Sequence, residues 1–134
     1  MKTAVKRPVP FPFVLELLAS REPVIRPMFG CYALYDAGRL VLILRKKPTH
    51  PSMNGVWVAT KKEHHASLKK MLPALRSIPL LGKGVTQWQM VGEEEEEFES
   101  SVMTLCRLVL GRDPRIGTIP KPKAKGAKPK SALR

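Results

Sequence analysis

The side chains of this 134-residue chain that could bind a metal or move a proton are few: three histidines, two cysteines and the acidic run Glu93, Glu94, Glu95, Glu96 and Glu97. His64 and His65 are adjacent, and neighbours on a helix point about 100° apart, so they cannot close on one ion as an i, i+4 pair would. Both are expected at the surface. His50 sits between Pro48 and Pro51 with no second ligand near it in sequence. Cys106 falls on an apolar helical stripe, where a free cysteine acts as a small hydrophobe. Cys31 follows Gly30 at a strand entrance and is the better candidate nucleophile, but no histidine or aspartate accompanies it in a recognisable constellation. The glutamates concentrate oxygen ligands, yet successive helical residues fan around the axis and no second acidic cluster closes a cage. The residues thus point to no catalytic centre, no metal and no cofactor.

Charge is the stronger signal. The chain has 24 basic and 11 acidic residues, a formal net charge of +13, which calls for polyanionic company such as nucleic acid or an anionic membrane surface. Residues 114–134 hold seven cations and no acid, leaving 17 basic against 11 acidic residues, or +6, in residues 1–113. Lys121, Lys123, Lys125, Lys128, Lys130 and Arg134 alternate with proline, glycine and alanine, the composition of a disordered basic arm that contacts phosphate. With Arg115 included, seven contacts to duplex DNA would give a salt slope near −6, from about −0.9 per phosphate. No aromatic residue interleaves the lysines, so neither base stacking nor sequence reading is expected. The competing reading is a solubilising tail.

The elements that must carry these groups follow from periodicity. Residues 1–12 are basic and proline-rich and read as a loose leader; Phe13, Val14, Leu17 and Leu18 then repeat at helical spacing until Pro23. Strands are expected over 30–35, 39–45 and 55–59, the first two joined by Asp36-Ala37-Gly38. Leu40 to Leu44 is apolar on both parities, as in a central strand covered on both faces or shielded by a partner. Thr60-Lys61-Lys62-Glu63 matches a capping box and predicts a helix from Lys61, with Leu68, Met71, Leu72 and Leu75 inward and Pro73 as its stop. Residues 85–91 alternate, with Gln87 and Gln89 on a wet face. A last helix is expected over 93–110, its stripe Phe98, Val102, Leu105, Cys106 and Val109, its glutamates at the positive end of the dipole, and Gly111 as terminator.

These elements predict an α+β fold of two layers, an antiparallel sheet with helices on one side, in the order α-β-β-β-α-β-α; a further short strand over 24–28 fits the same scheme. The domain division is a leader over 1–12, an α/β body over 13–113 and a basic tail over 114–134. Two unpaired cysteines suit a reducing cytoplasm, and Pro8, Pro10, Pro12 and Glu16 interrupt any signal-peptide core. No apolar run approaches the length of a spanning helix, so no integral membrane association is expected.

Arg26-Pro27-Met28-Phe29-Gly30-Cys31-Tyr32-Ala33-Leu34-Tyr35, followed by a turn and the apolar strand, resembles the N-terminal domain of the bacterial competence regulator TfoX (Sxy), whose pattern is Arg-x-Met-Phe-Gly-Gly before an aromatic-containing strand. Cys31 and Ala33 stand where that family tends to have glycine. The resemblance implies a secretion-chaperone-like or YjbR-like α/β fold in a bacterial cytoplasmic protein without established enzymatic activity. It marks Arg26, Met28, Phe29, Gly30 and Tyr35 as the characteristic surface or turn. The expected function is a non-catalytic regulatory or adaptor domain whose tail contacts nucleic acid or an acidic protein. The alternatives are a protein-binding domain, homodimeric or otherwise, with an incidental tail, and an enzyme not recognisable from its motifs.

Overall fold

The computed structural model describes residues 9–78 and 87–119. Helix α1 (Pro12–Leu17) buries Val14, and Leu18 beyond it closes the helix and is buried as well. Phe11 and Phe13 flank Phe98 at ring-centroid distances of 5.1 and 6.3 Å, so part of the expected leader belongs to the core. A turn at Ala19–Arg21 follows, and Arg21 donates twice to the Asp36 carboxylate, at 2.9 and 3.1 Å.

Four strands then run as a meander: β1 (Val24–Met28), β2 (Cys31–Asp36), β3 (Arg39–Arg45) and β4 (Gly55–Val58). Phe29 and Gly30 (φ 52° and 78°) and Ala37 and Gly38 (φ 53° and 82°) form the two hairpin loops, with the paired positive φ that two-residue turns require. After helix α2 (His65–Met71), the short strand β5 (Arg76–Ser77) and β6 (Gln89–Gly92) complete an antiparallel sheet in the order β1-β2-β3-β4-β6-β5. Helix α3 (Phe98–Leu110) ends the regular structure.

The predicted α+β class with an antiparallel sheet holds. The core lies between sheet and helices: Leu34, Leu42, Leu44, Val56, Val58 and Val91 face Val14 and Leu18, Leu68 and Leu72 of the α2 region, and Val102, Leu105 and Val109 of α3. β3 is buried along nearly its whole length, as its two-parity pattern required. Its second face carries Leu40 and Ile43, packed with Cys31, Ala33, Ala59 and the rings of Tyr35, Trp57 and Trp88.

Several local expectations give way. Thr60 caps no helix: it is 2% exposed and donates to the Arg115 carbonyl at 2.7 Å. The chain makes a 3-10 turn at Lys62–His64 instead, and α2 begins at His65. Met71 is exposed while Leu68, Leu72 and Leu75 are buried. Gln89 is 3% exposed, because β6 lies between β4 and β5 and both its faces are covered; of the two residues expected on a wet face only Gln87, which precedes β6, is exposed. The glutamates precede α3 rather than start it. The Glu93 amide donates to the Asn54 carbonyl as an extension of β6, and Glu93 and Glu94 pair with Lys46 and Arg76. Phe98 opens the helix, where it packs beneath Phe11 and Phe13.

The end of α3 shows the same economy of backbone donors. Arg112, not Gly111, takes the left-handed conformation (φ 57°), with its amide on the Val109 carbonyl and the Asp113 amide on the Leu108 carbonyl. That is a Schellman closure. Residues 114–118 then return over the body as a strap, contrary to the boundary expected at 113. Thr118 and Leu40 exchange backbone hydrogen bonds of 2.9 Å beside β3, beyond the end of β4, and the Gly117 amide donates to the Ala59 carbonyl at 2.7 Å. Ile116 is 3% exposed beneath it. An apolar anchor and satisfied backbone explain why a segment of tail-like composition packs.

Arg115 grips Asp113 through Nε and Nη2 at 2.8 and 2.6 Å. The hydrogen bond and charge of Arg115 hold the Asp113 carboxyl below its ordinary 3.8. A carboxyl lowered by folding stabilises the native state above its unfolded pKa and loses that contribution as pH falls through the folded value. Asp113→Asn should therefore flatten the acid limb below pH 3.8, measured as urea midpoint against pH. An unchanged acid limb would show that the pair contributes nothing to stability.

Candidate functional site

The β1–β2 hairpin tip, the end of β3 and the 46–54 loop meet on the second face of the sheet. They enclose a hollow of about 320 Å³. Its apolar wall comes from Met28, Cys31, Ile43, Met53 and Trp57, with Phe29 at the rim. Register explains the grouping: Met28 pairs with Cys31, Ile43 pairs with Trp57, and all point to the face away from the helices. The Trp57 indole N–H donates to the Met53 carbonyl at 3.0 Å, which fixes the ring while leaving its body apolar.

The loop closing this hollow is organised by Arg45 and Asn54. Arg45 is 5% exposed and donates to the carbonyls of His50 (3.0 Å) and Thr49 (2.9 Å) and to Asn54 Oδ1 (2.6 Å). Asn54 Oδ1 also accepts from the Lys47 amide at 2.9 Å, while its Nδ2 donates to the Lys47 carbonyl at 2.8 Å. Gly55, next in the chain, has φ 146°, and a Cβ there would stand 2.1 Å from the Val91 carbonyl oxygen. Only glycine allows β4 to approach β6 so closely.

Of the residues marked in the sequence, Met28, Phe29 and Gly30 come together here. Arg26 and Tyr35 lie further along the hairpin, the guanidinium 5.9 Å from the ring centroid in a cation–π contact. Phe29 is 90% exposed in a left-handed conformation that a turn normally gives to asparagine or glycine. Phe29→Asn should stabilise the hairpin by about 0.5–1 kcal/mol, read as a higher urea midpoint at unchanged slope. A destabilised variant would mean that the ring makes contacts worth more than the strain.

The thiols are poorly suited to attack. Cys31 Sγ donates to the Phe29 carbonyl at 3.8 Å, and burial pushes its pKa above 9.0 against the opposing pull of Arg45 and Lys47. Burial pushes Cys106 up to about 11. His50 lines the same hollow as Cys31, but it bonds through its carbonyl, which accepts from Arg45 and from the Met53 amide, and not through its ring. His64 and His65 diverge, one beside Glu63 at 3.7 Å and the other on the Gln87 carbonyl. Among the described residues no three His, Cys, Asp or Glu side chains converge as a metal would need.

A second feature is the root of the basic arm. The strap delivers Ile119, 75% exposed, beside β3, and Arg39 donates to the carbonyls of Ile116 and Gly117 at 3.0 Å each. Arg39, Lys61, His64 and Arg115 border a shallow depression of about 140 Å³ there, with Glu63 as its acid. Arg115 is withdrawn from the arm by its pairing with Asp113. Lys121, Lys123, Lys125, Lys128, Lys130 and Arg134 lie outside the described residues. Among those described, no helix is long and apolar enough to cross a membrane.

Sequence reasoning missed Arg45, Lys47, Met53 and Trp57. The available signal was Arg45 itself, a cation ending an apolar run, nine residues before an asparagine-glycine pair. Compared with protein-family models, with curated proteins and with solved structures, the chain matches none.

Proposed function

We propose that this chain is a non-catalytic regulatory or adaptor domain that contacts nucleic-acid phosphate through its basic C-terminal arm. The carrying observation is where the arm is rooted. Strap 114–118 is pinned by backbone bonds to Leu40 and Ala59, next to Lys61 and the exposed Lys62. The six cations of residues 120–134, with no acid among them, follow in sequence from a strap beside a depression bordered by Arg39, Lys61, His64 and Arg115 against the single acid Glu63. The resemblance of residues 26–35 to the TfoX N-terminal segment supports a regulatory role in a bacterial cytoplasm. The raised thiol pKa values weigh against nucleophilic chemistry. Salt-dependent binding to a duplex, with and without residues 120–134, tests this reading.

A second reading, a homodimer, draws on Val24, Ile25 and Phe29, which are 50%, 39% and 90% exposed on one hairpin. Edge-to-edge sheet pairing is disfavoured there. The two-residue loop makes Met28 and Cys31 a hydrogen-bonded pair, so alternation turns the nitrogen of Pro27 outward, where it has no proton to donate. A dimer would use side chains instead. Sedimentation over about a hundredfold concentration range checks it, and a constant monomer mass would remove it.

A further inference from the structure

The hollow behind Phe29 carries an imbalance of charge. Arg45 and Lys47 line it, yet neither meets a carboxylate among the described residues, and no acid lines the hollow at all. The contrast with the neighbouring lysine is direct, since Lys46 pairs with Glu93. Arg45 is 5% exposed and answers only to neutral acceptors, the carbonyls of Thr49 and His50 and the Asn54 amide oxygen. Those bonds use three of the five guanidinium donors. Lys47 Nζ reaches no closer partner than the Phe29 carbonyl, at 3.4 Å.

A buried cation facing neutral groups is stabilised strongly by an anion that enters the same low-dielectric recess. The rest of the recess asks for something apolar, because Met28, Ile43, Met53 and Trp57 supply its wall. The volume, about 320 Å³, sits at the small end of ligand cavities. An inorganic anion leaves the apolar wall wet. A neutral hydrophobe leaves the cations unpaired.

We propose that the hollow is a binding site for a small amphiphilic monoanion, a compact aromatic or branched apolar body bearing one carboxylate. The carboxylate lies between Lys47 and Arg45, and the apolar body lies against Trp57, Ile43 and Met53. Phe29 at the rim covers the ligand. None of the residues that line the hollow belongs to the strap that roots the arm, so binding of the small acid and binding of nucleic acid are tested separately.

The test uses the full-length chain and 4-phenylbutyrate, with the combined intrinsic fluorescence of Trp57 and Trp88 and residue-resolved heteronuclear NMR shifts as readouts. The expected result is saturable binding with shifts confined to residues around the hollow. The matching amide, 4-phenylbutyramide, should bind about tenfold more weakly, the usual cost of a lost charge-assisted hydrogen bond. Acetate should not saturate. Lys47→Gln should weaken the acid several-fold, whereas Lys46→Gln, which touches a different carboxylate, should leave it unchanged. Both lysines are at the surface, and circular dichroism confirms that the variants fold. Equal affinity for acid and amide, or equal effects of the two lysine variants, would overturn the anion site. Binding only by a peptide with a free carboxyl terminus, and not by the small acid, would overturn the small-molecule occupant.

Discussion

Truncation after Ile119 should remove most of the affinity for duplex DNA, on the order of a hundredfold or more in 50 mM salt, the expected cost of losing about six phosphate contacts. The full chain should show a logarithmic salt slope steeper than the truncated chain by about 5, from about −0.9 for each of Lys121, Lys123, Lys125, Lys128, Lys130 and Arg134. Counting Arg115 as well would give about 6, but its pairing with Asp113 places it on the body. The difference is measurable: Arg115→Gln should leave the slope nearly unchanged, while Lys125→Gln should reduce it by about 1. Affinity should be insensitive to sequence, because nothing in the arm stacks on or reads a base. Equal binding and equal slopes for full and truncated chains would sink the proposed function. The cut falls after the strap, so the body should remain folded, and thermal unfolding of the truncated chain checks that.

The largest effect on stability is expected at Asn54. Its side chain makes three hydrogen bonds and is 4% exposed, and its carbonyl takes the Glu93 amide. Asn54→Ala would strand one donor of a buried guanidinium together with the amide and carbonyl of Lys47. A buried polar group that loses its partner costs about 1–3 kcal/mol and a charged one more, so a loss of about 3 kcal/mol is expected after partial relaxation. Asn54→Asp should lose less. It keeps the acceptor and sets a carboxylate against Arg45, but gives up the donor to the Lys47 carbonyl. Urea unfolding of both variants decides the matter. A loss below about 1 kcal/mol in the alanine variant would mean that water takes over the three bonds, and Arg45 would no longer count as the organiser of the loop.

How far the sequence reached can be judged residue by residue. Helical and strand periods record burial, so the stripe of α3 and the two-parity run of β3 were legible. Where one residue type serves two roles, the sequence was ambiguous. Thr60 with Glu63 reads as a cap, yet the threonine serves the strap, a partner 55 residues away that no local window contains. Gln89 reads as solvent-facing because it is polar, but its neighbour β5 is a two-residue strand with no period of its own. Five glutamates read as a helix start because carboxylates favour the dipole; their mutual repulsion and the ion pairs with Lys46 and Arg76 hold the run in turns. The candidate site was half legible. Met28, Phe29 and Gly30 were marked in the sequence by a resemblance, not by any chemistry of their own. Arg45 and Lys47 were hidden, since a cation near a strand end is ordinarily solvated and only tertiary structure shows that Arg45 is not.

The strap also sets an order of events when the chain is made. Arg39 donates to carbonyls 77 and 78 residues later in the sequence, an interval of about 4–15 s at ordinary rates of synthesis. Until then Leu40 lacks its backbone partner, and Thr60 and Ala59 wait for Arg115 and Gly117. The nascent body therefore presents an unfinished sheet margin beside its most apolar strand, open for seconds to any extended segment that passes. Closure comes last, with the residues that root the basic arm.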